Sequence, residues 1–292
     1  MKTIDTSLLR IAYEEWNPEG ERCVVLMHGW PDSPRCWAGV APVLAQQGWR
    51  VLAPALRGFS PTSFLRADTP RTGQLSALGR DLLEFIDALG LKSPALVGHD
   101  WGARAVAIAC GLRPGVASHL ALLSVGYGTN NPDQPLGLAQ ARSYWYHWYM
   151  ATPRGERSVR EDPRAFARIM WDTWAPAGWY ASEEFEATAV AFDNKDWPDV
   201  TVHSYRHRWG HAVADPAYAR EEAALAGAIV LEVPTLVLHG EADGVNHPDM
   251  SAGKEHLFSG RYTRKLLPGV GHFPPREAPQ EVARELLEFF GH

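Results

Sequence analysis

Asp100 sits in Gly98-His99-Asp100-Trp101-Gly102, between the apolar run Ala95-Leu96-Val97 and a small-residue helical pattern through Ala109. The pattern predicts a strand, a sharp turn and a helix, the flanking glycines letting the backbone pack through a strained turn that lifts the Asp100 side chain clear of the sheet. A carboxylate attacking an ester would give an anhydride, whereas attack on a saturated carbon gives a stable alkyl ester. The chemistry expected is alkylation of Asp100 by a small electrophile. Alone, this aspartate could equally cap the helix that follows. Two further residues argue against that: Asp243 follows the apolar run 234–238, and His272 lies in Pro268-Gly269-Val270-Gly271-His272-Phe273 after a run at 262–267. All three stand at the carboxyl ends of expected strands, in the order nucleophile, acid, histidine.

The elements that must position them follow from hydrophobic patterning. Strands are expected at 8–13, 23–27, 50–56, 95–97, 119–125, 234–238 and 262–267, and helices at 37–46, 74–89 and 280–290. This βαβ alternation predicts an α/β chain with a mostly parallel, doubly wound sheet, whose ligand crevice lies at the carboxyl ends of the strands. His28-Gly29-Trp30-Pro31 belongs at the same edge. The backbone N–H groups of Trp30 and Trp101 are candidates for an oxyanion hole, and His28 is read as a brace for its loop. From about residue 126 to 216 the texture changes: strand-like runs become scarce, and seven of the twelve tryptophans fall between Trp145 and Trp209. Helices are expected at 138–150, 163–174, 182–192 and 198–209, forming a helical cap whose aromatics are mostly its own core. The organisation is a core at 1–125, a cap at 126–216 and the resumed core at 217–292.

With 292 residues, a formal net charge of -6 and a sequence pI near 6.1, the chain has no basic surface suited to nucleic acid. No apolar run approaches the roughly 18 residues of a spanning helix, and the first residues lack the pattern of a secretion signal, so no membrane partner and a cytoplasmic location are expected. Cys23, Cys36 and Cys110 are scattered, without CxxC spacing, and suit reduced buried thiols. His203, His207 and His211 share a helical face, but no carboxylate or cysteine accompanies them at ligand spacing, so no metal or other cofactor is expected.

With His28-Gly29-Trp30-Pro31, Arg57-Gly58-Phe59 and Gly98-His99-Asp100-Trp101-Gly102 in order before Asp243 and His272, the chain resembles, over essentially its whole length, the α/β-hydrolases with an Asp nucleophile. That group contains epoxide hydrolases, fluoroacetate dehalogenases and haloalkane dehalogenases. The resemblance implies the α/β-hydrolase fold with an inserted helical cap and a two-step mechanism: Asp100 attacks carbon, then water activated by His272, itself oriented by Asp243, hydrolyses the ester. Tyr205 matches a ring-opening tyrosine of epoxide-hydrolase caps. Tyr146-His147-Trp148 is similar to a bacterial subgroup that pairs His with Tyr, which makes His147 the expected second donor. Fluoroacetate dehalogenases also resemble this stretch, with a His-Trp pair corresponding to His147 and Trp148 and two arginines that hold a carboxylate. Arg104 matches the second arginine, but Trp101 replaces the first, and Arg57-Gly58-Phe59-Ser60 departs from the more usual RGxG. Trp148 and Arg104 are thus the expected substrate contacts. The ranking is epoxide hydrolase, then haloacid dehalogenase, then haloalkane dehalogenase, with an apolar or aryl-bearing substrate. A non-catalytic ligand receptor on the same fold is the alternative of another class.

Overall fold

The computed structural model describes residues 1–128, 135–227 and 229–291. Nine strands form one sheet among them: β1 (Lys2–Asp5), β2 (Leu9–Trp16), β3 (Arg22–Met27), β4 (Trp49–Pro54), β5 (Ser63–Phe64), β6 (Ala95–His99), β7 (Leu120–Leu123), β8 (Thr235–Gly240) and β9 (Tyr262–Leu267). The spatial order is β1-β2-β4-β3-β6-β7-β8-β9, with β5 paired to β2. From β4 to β9 every pairing is parallel, while β1, β2 and β5 pair antiparallel at one edge.

Alternation along each central strand builds two core layers, because successive side chains point to opposite faces. Val25 and Met27 of β3 pack with Leu78, Leu82 and Val106 from helices α2 (Leu75–Ala88) and α3 (Trp101–Leu112). Val24 and Leu26 pack with Leu44, Val282 and Leu286 on the other face, from α1 (Ala41–Gln46) and a carboxyl-terminal helix at Pro279–Phe290. The parallel register sets Met27 against Gly98, His99 against Leu123 and Gly240 against Leu267, so the loops leaving β3, β6, β8 and β9 emerge at one sheet edge.

Between β7 and β8 the described residues contain no named strand. They form α4 (Leu138–Ser143), α5 (Trp145–Ala151), α6 (Pro153–Glu161), α7 (Pro163–Thr173), α8 (Ser182–Ala189), α9 (Trp197–Arg208) and α10 (Ala219–Leu225). After β9 come α11 (Pro274–Glu277) and α12, the Pro279–Phe290 helix. The single helix expected at 138–150 is two helices that meet at Tyr144, and α6, begun by Pro153 and capped by Thr152 accepting from Gly155 N–H, was not anticipated. Thr129 to Gln134, within the expected cap, lie outside the described residues. No helix among the described residues is long and apolar enough to cross a membrane.

Candidate active site

The turn after β6 is made possible by close backbone approach. A Cβ on Gly98 would lie 2.2 Å from the Gly102 carbonyl oxygen, and one on Gly102 would lie 2.2 Å from that of Met27. Only glycine lets α3 pack this tightly on the sheet. Asp100, at the bend, has φ 50° and ψ −111°, a conformation that costs a non-glycine residue about 1–3 kcal/mol and that the surrounding packing must enforce. Its side chain is buried yet held by a specific donor: the Trp30 N–H donates to Oδ1 at 3.0 Å. Trp101 opens α3, where first-turn N–H groups have no intrahelical partner. A Cβ on Gly29 would stand 2.6 Å from that of Asp100, so the loop after β3 needs glycine to bring Trp30 this close.

Asp243 and His272 arrive from the loops after β8 and β9. Asp243 Oδ1 accepts from the N–H groups of Val245 and Asn246 at 2.9 and 2.8 Å, and Oδ2 meets His272 Nδ1 at 2.9 Å. The other ring nitrogen, Nε2, stands 3.7 Å from Asp100 Oδ2, beyond hydrogen-bond reach. The His272 backbone is fixed on every side: its N–H donates to the Trp174 carbonyl, and its carbonyl accepts from Ser124 Oγ and contacts His99 Nε2. Burial opposes charge on His272, but Asp243 and Asp100 outweigh it and raise its pKa to about 10. Burial likewise opposes ionisation of Asp100, and His272 with the Trp30 N–H still hold its carboxyl well below the usual range. Asp243 is pushed down to about 2, with burial again outweighed by His272 and His239. His28 braces its loop, accepting from Leu56 N–H at Nε2 and contacting the Gly29 carbonyl through Nδ1.

An aromatic wall faces this group from the helical segment. The Trp30 ring stacks on Tyr146 at 5.6 Å and meets Tyr205 edge-on at 5.1 Å, and Tyr146 and Tyr205 are mutually perpendicular at 5.2 Å. The Trp101 indole N–H donates to the Tyr205 hydroxyl at 3.1 Å, which leaves the hydroxyl's own proton for another acceptor. Burial, with the negative charge of Asp100 adding to it, raises both tyrosine pKa values well above 10, so both remain protonated donors.

The charge of Asp100 acts on Tyr146 as well as on Tyr205. Successive residues of a helix point about 100° apart, and the two rings meet Tyr205 differently, Tyr146 edge-on at 5.2 Å and His147 tilted at 4.6 Å. His147 Nδ1 accepts from the Trp209 indole at 3.0 Å, its ring stacks on Tyr144, and the charges acting on it are Arg208 and Arg104. Trp148 is further round the helix and partly exposed, its indole donating to the Ala141 carbonyl. It is not brought to the group. Arg104 is buried on α3, where burial and then Arg208 lower its pKa to about 10 while Asp100 acts in the opposite direction. Arg57 is consumed structurally, bound by Asp81, Tyr218 and the Thr72 carbonyl. His203 Nδ1 accepts from Gly73 N–H, and among the described residues no cluster of His, Cys, Asp or Glu is arranged to hold a metal ion.

A family model for the alpha/beta hydrolase fold matches residues 22–279, and the chain belongs to that family. Among curated relatives, epoxide hydrolase 3 of Siraitia grosvenorii is 38% identical over 293 residues, covering 91% of this chain and 90% of its own length. Epoxide hydrolase A of Mycobacterium tuberculosis is 27% identical over 326 residues, covering 99% and 96%. A fluoroacetate dehalogenase from Burkholderia sp is 28% identical over 276 residues, covering 91% and 86%. A crystal structure from Klebsiella pneumoniae subsp. pneumoniae MGH 78578, described as a candidate epoxide hydrolase, superposes with a TM-score of 0.94 at 36% identity, covering 100% of this chain and 97% of that one. The chain is a hydrolase, and its neighbours are mostly epoxide hydrolases.

Proposed function

We propose that this hydrolase opens epoxides through a covalent ester on Asp100 and releases a vicinal diol, with the helical segment between β7 and β8 acting as the cap that supplies the ring-opening donors. The observation that carries the reading is the pair of buried tyrosines, Tyr146 and Tyr205, packed against each other and against Trp30, whose N–H holds Asp100. An oxirane oxygen leaves as an alkoxide and needs a proton donor in the transition state, whereas a halide leaves without one.

In the first step Asp100 attacks an oxirane carbon, the carbon–oxygen bond breaks, and its electron pair remains on oxygen, which takes a proton from a tyrosine hydroxyl. The tyrosinate recovers a proton from solvent. Esterification removes the Asp100 charge that supports the His272 imidazolium, so the His272 pKa falls from about 10 and the ring becomes able to serve as a base. In the second step a water gives its proton to His272 Nε2 and adds to the ester carbonyl. The Trp30 N–H already holds Oδ1, the oxygen that becomes the carbonyl if Oδ2 attacks, and with the Trp101 N–H it would stabilise the tetrahedral oxyanion. Collapse expels the diol oxygen, which takes the proton back from His272.

Haloacid dehalogenation is the second reading, favoured by buried Arg104. It is weaker because Trp101 stands where a second arginine would be needed, and the Trp101 indole is already committed to Tyr205. A side-by-side assay of styrene oxide, fluoroacetate and a haloalkane tests the choice. Diol formation from styrene oxide should exceed halide release from either competitor; faster fluoride release would replace the epoxide reading with the dehalogenase one.

A further inference from the structure

Behind the Tyr205 ring lies a group of donors that the proposed mechanism does not use. Arg208 closes α9 and is mostly buried, its guanidinium 4.9 Å over the Tyr205 ring. Its Nε and Nη2 are buried and meet no acceptor among the described residues. Beside the same ring, 4.6 Å away, is the His147 imidazole. Because its Nδ1 accepts the Trp209 indole proton, the hydrogen of the neutral ring sits on Nε2, and that atom too is buried without an acceptor among the described residues.

The donor geometry specifies the acceptor. Nε and Nη2 form one edge of the guanidinium, whose parallel N–H bonds match the two oxygens of a carboxylate. The chain uses this edge repeatedly for that purpose: Arg10 with Asp5, Arg66 with Asp68 and Arg57 with Asp81 all pair Nε and Nη2 with the two carboxylate oxygens. On Arg208 the same edge faces no carboxylate among the described residues. A buried guanidinium without a counter-charge is costly, and a second positive charge, Arg104, acts on it.

We propose that Arg208 and His147 form a buried carboxylate subsite that shares the Tyr205 ring with the Asp100 site. The guanidinium edge takes both carboxylate oxygens, and His147 Nε2 donates a third hydrogen bond. The carboxylate is either the anionic arm of an epoxy-acid substrate, which rests on the epoxide-hydrolase reading, or a free small carboxylate.

The test has two arms. Calorimetric titration of the intact protein with sodium formate at constant ionic strength should show saturable binding, weakened about ten- to hundredfold in Arg208→Gln. His147→Phe, which deletes the Nε2 donor and keeps an aromatic ring in place, should weaken it less; this variant decides the matter if Arg208→Gln does not fold. In the second arm, kcat/KM is measured for 4-carboxystyrene oxide and for its methyl ester. A preference of about tenfold or more for the acid, lost in Arg208→Gln, identifies the substrate's own arm as the occupant. Arg208-dependent formate binding with equal rates for acid and ester identifies a free carboxylate instead. If formate binds and neither epoxide is turned over, the subsite stands and the epoxide reading falls. Absence of saturable formate binding to the wild type, or unchanged affinity in both variants, overturns the subsite.

Discussion

The Trp101 indole donates to the Tyr205 hydroxyl at 3.1 Å, joining the residue after Asp100 to α9. The bond orients the phenol with its oxygen as acceptor and its proton free to donate elsewhere. Tyr205→Phe should therefore slow alkylation by an aryl epoxide about 10²- to 10⁴-fold. Hydrolysis of the ester, which uses His272, should change much less. Rapid-quench kinetics separates the two steps, and a wild-type alkylation rate in this variant would remove Tyr205 from the chemistry.

Tyr146 and His147 are adjacent in sequence and both pack on Tyr205, but Trp30 stacks on the first, whereas Tyr144 stacks on the second and the Trp209 indole donates to it. With a neutral aryl epoxide, Tyr146→Phe should reduce the alkylation rate by about the same order as Tyr205→Phe, and by more than His147→Gln does. The reverse ranking would return the donor role to His147.

How much of this was readable in the sequence depended on whether a feature is local. Asp100, Asp243 and His272 each follow an apolar strand, and glycine-rich loops mark their turns, so all three could be placed at one sheet edge before any coordinates. β1 and β5 were missed because both are short edge strands with partly exposed side chains and no buried alternation. The split between α4 and α5 at Tyr144 carries no proline or glycine to announce it. The sequence names His147 but not Tyr146, because the two differ by one residue and a rotation of about 100° on the helix, and the stacking of Tyr146 on Trp30 depends on tertiary packing. Arg208 reads as an ordinary cation in a helix's last turn; its burial against Tyr205 depends on tertiary packing.

The His272 pKa, raised from 6.5 to about 10, links stability to pH. Because the folded state holds this proton more tightly, the contribution is complete below the unfolded value of 6.5 and is lost as pH rises toward about 10. The Tm difference between wild type and His272→Gln should shift steadily against the wild type across that interval. In single turnover the opposite sign governs the second step: ester hydrolysis needs neutral His272, so its rate should rise with pH and level off below the free-enzyme value of about 10. A Tm difference that does not vary with pH would contradict the raised pKa.

Arg276 joins three parts of the fold. It donates to Asp32, two residues after Trp30, and to Glu184 and Thr188 of α8, from a position four residues after His272. The guanidinium and the Asp32 carboxylate are both largely buried, so Arg276→Ala leaves a buried charge without its partner and should cost about 3–5 kcal/mol. Urea denaturation measures this directly. A loss under about 1 kcal/mol, the scale of a surface pair, would show that the contact contributes little.

The central claim is that epoxide opening passes through an ester on Asp100. His272→Gln keeps the nucleophile and removes the base, so incubation with styrene oxide should increase the intact protein mass by one substrate, with the modification mapping to the peptide that contains Asp100. The same treatment of Asp100→Ala should leave the mass unchanged. An unmodified His272→Gln protein that still produces diol, or an adduct that forms equally in Asp100→Ala, would contradict the covalent mechanism.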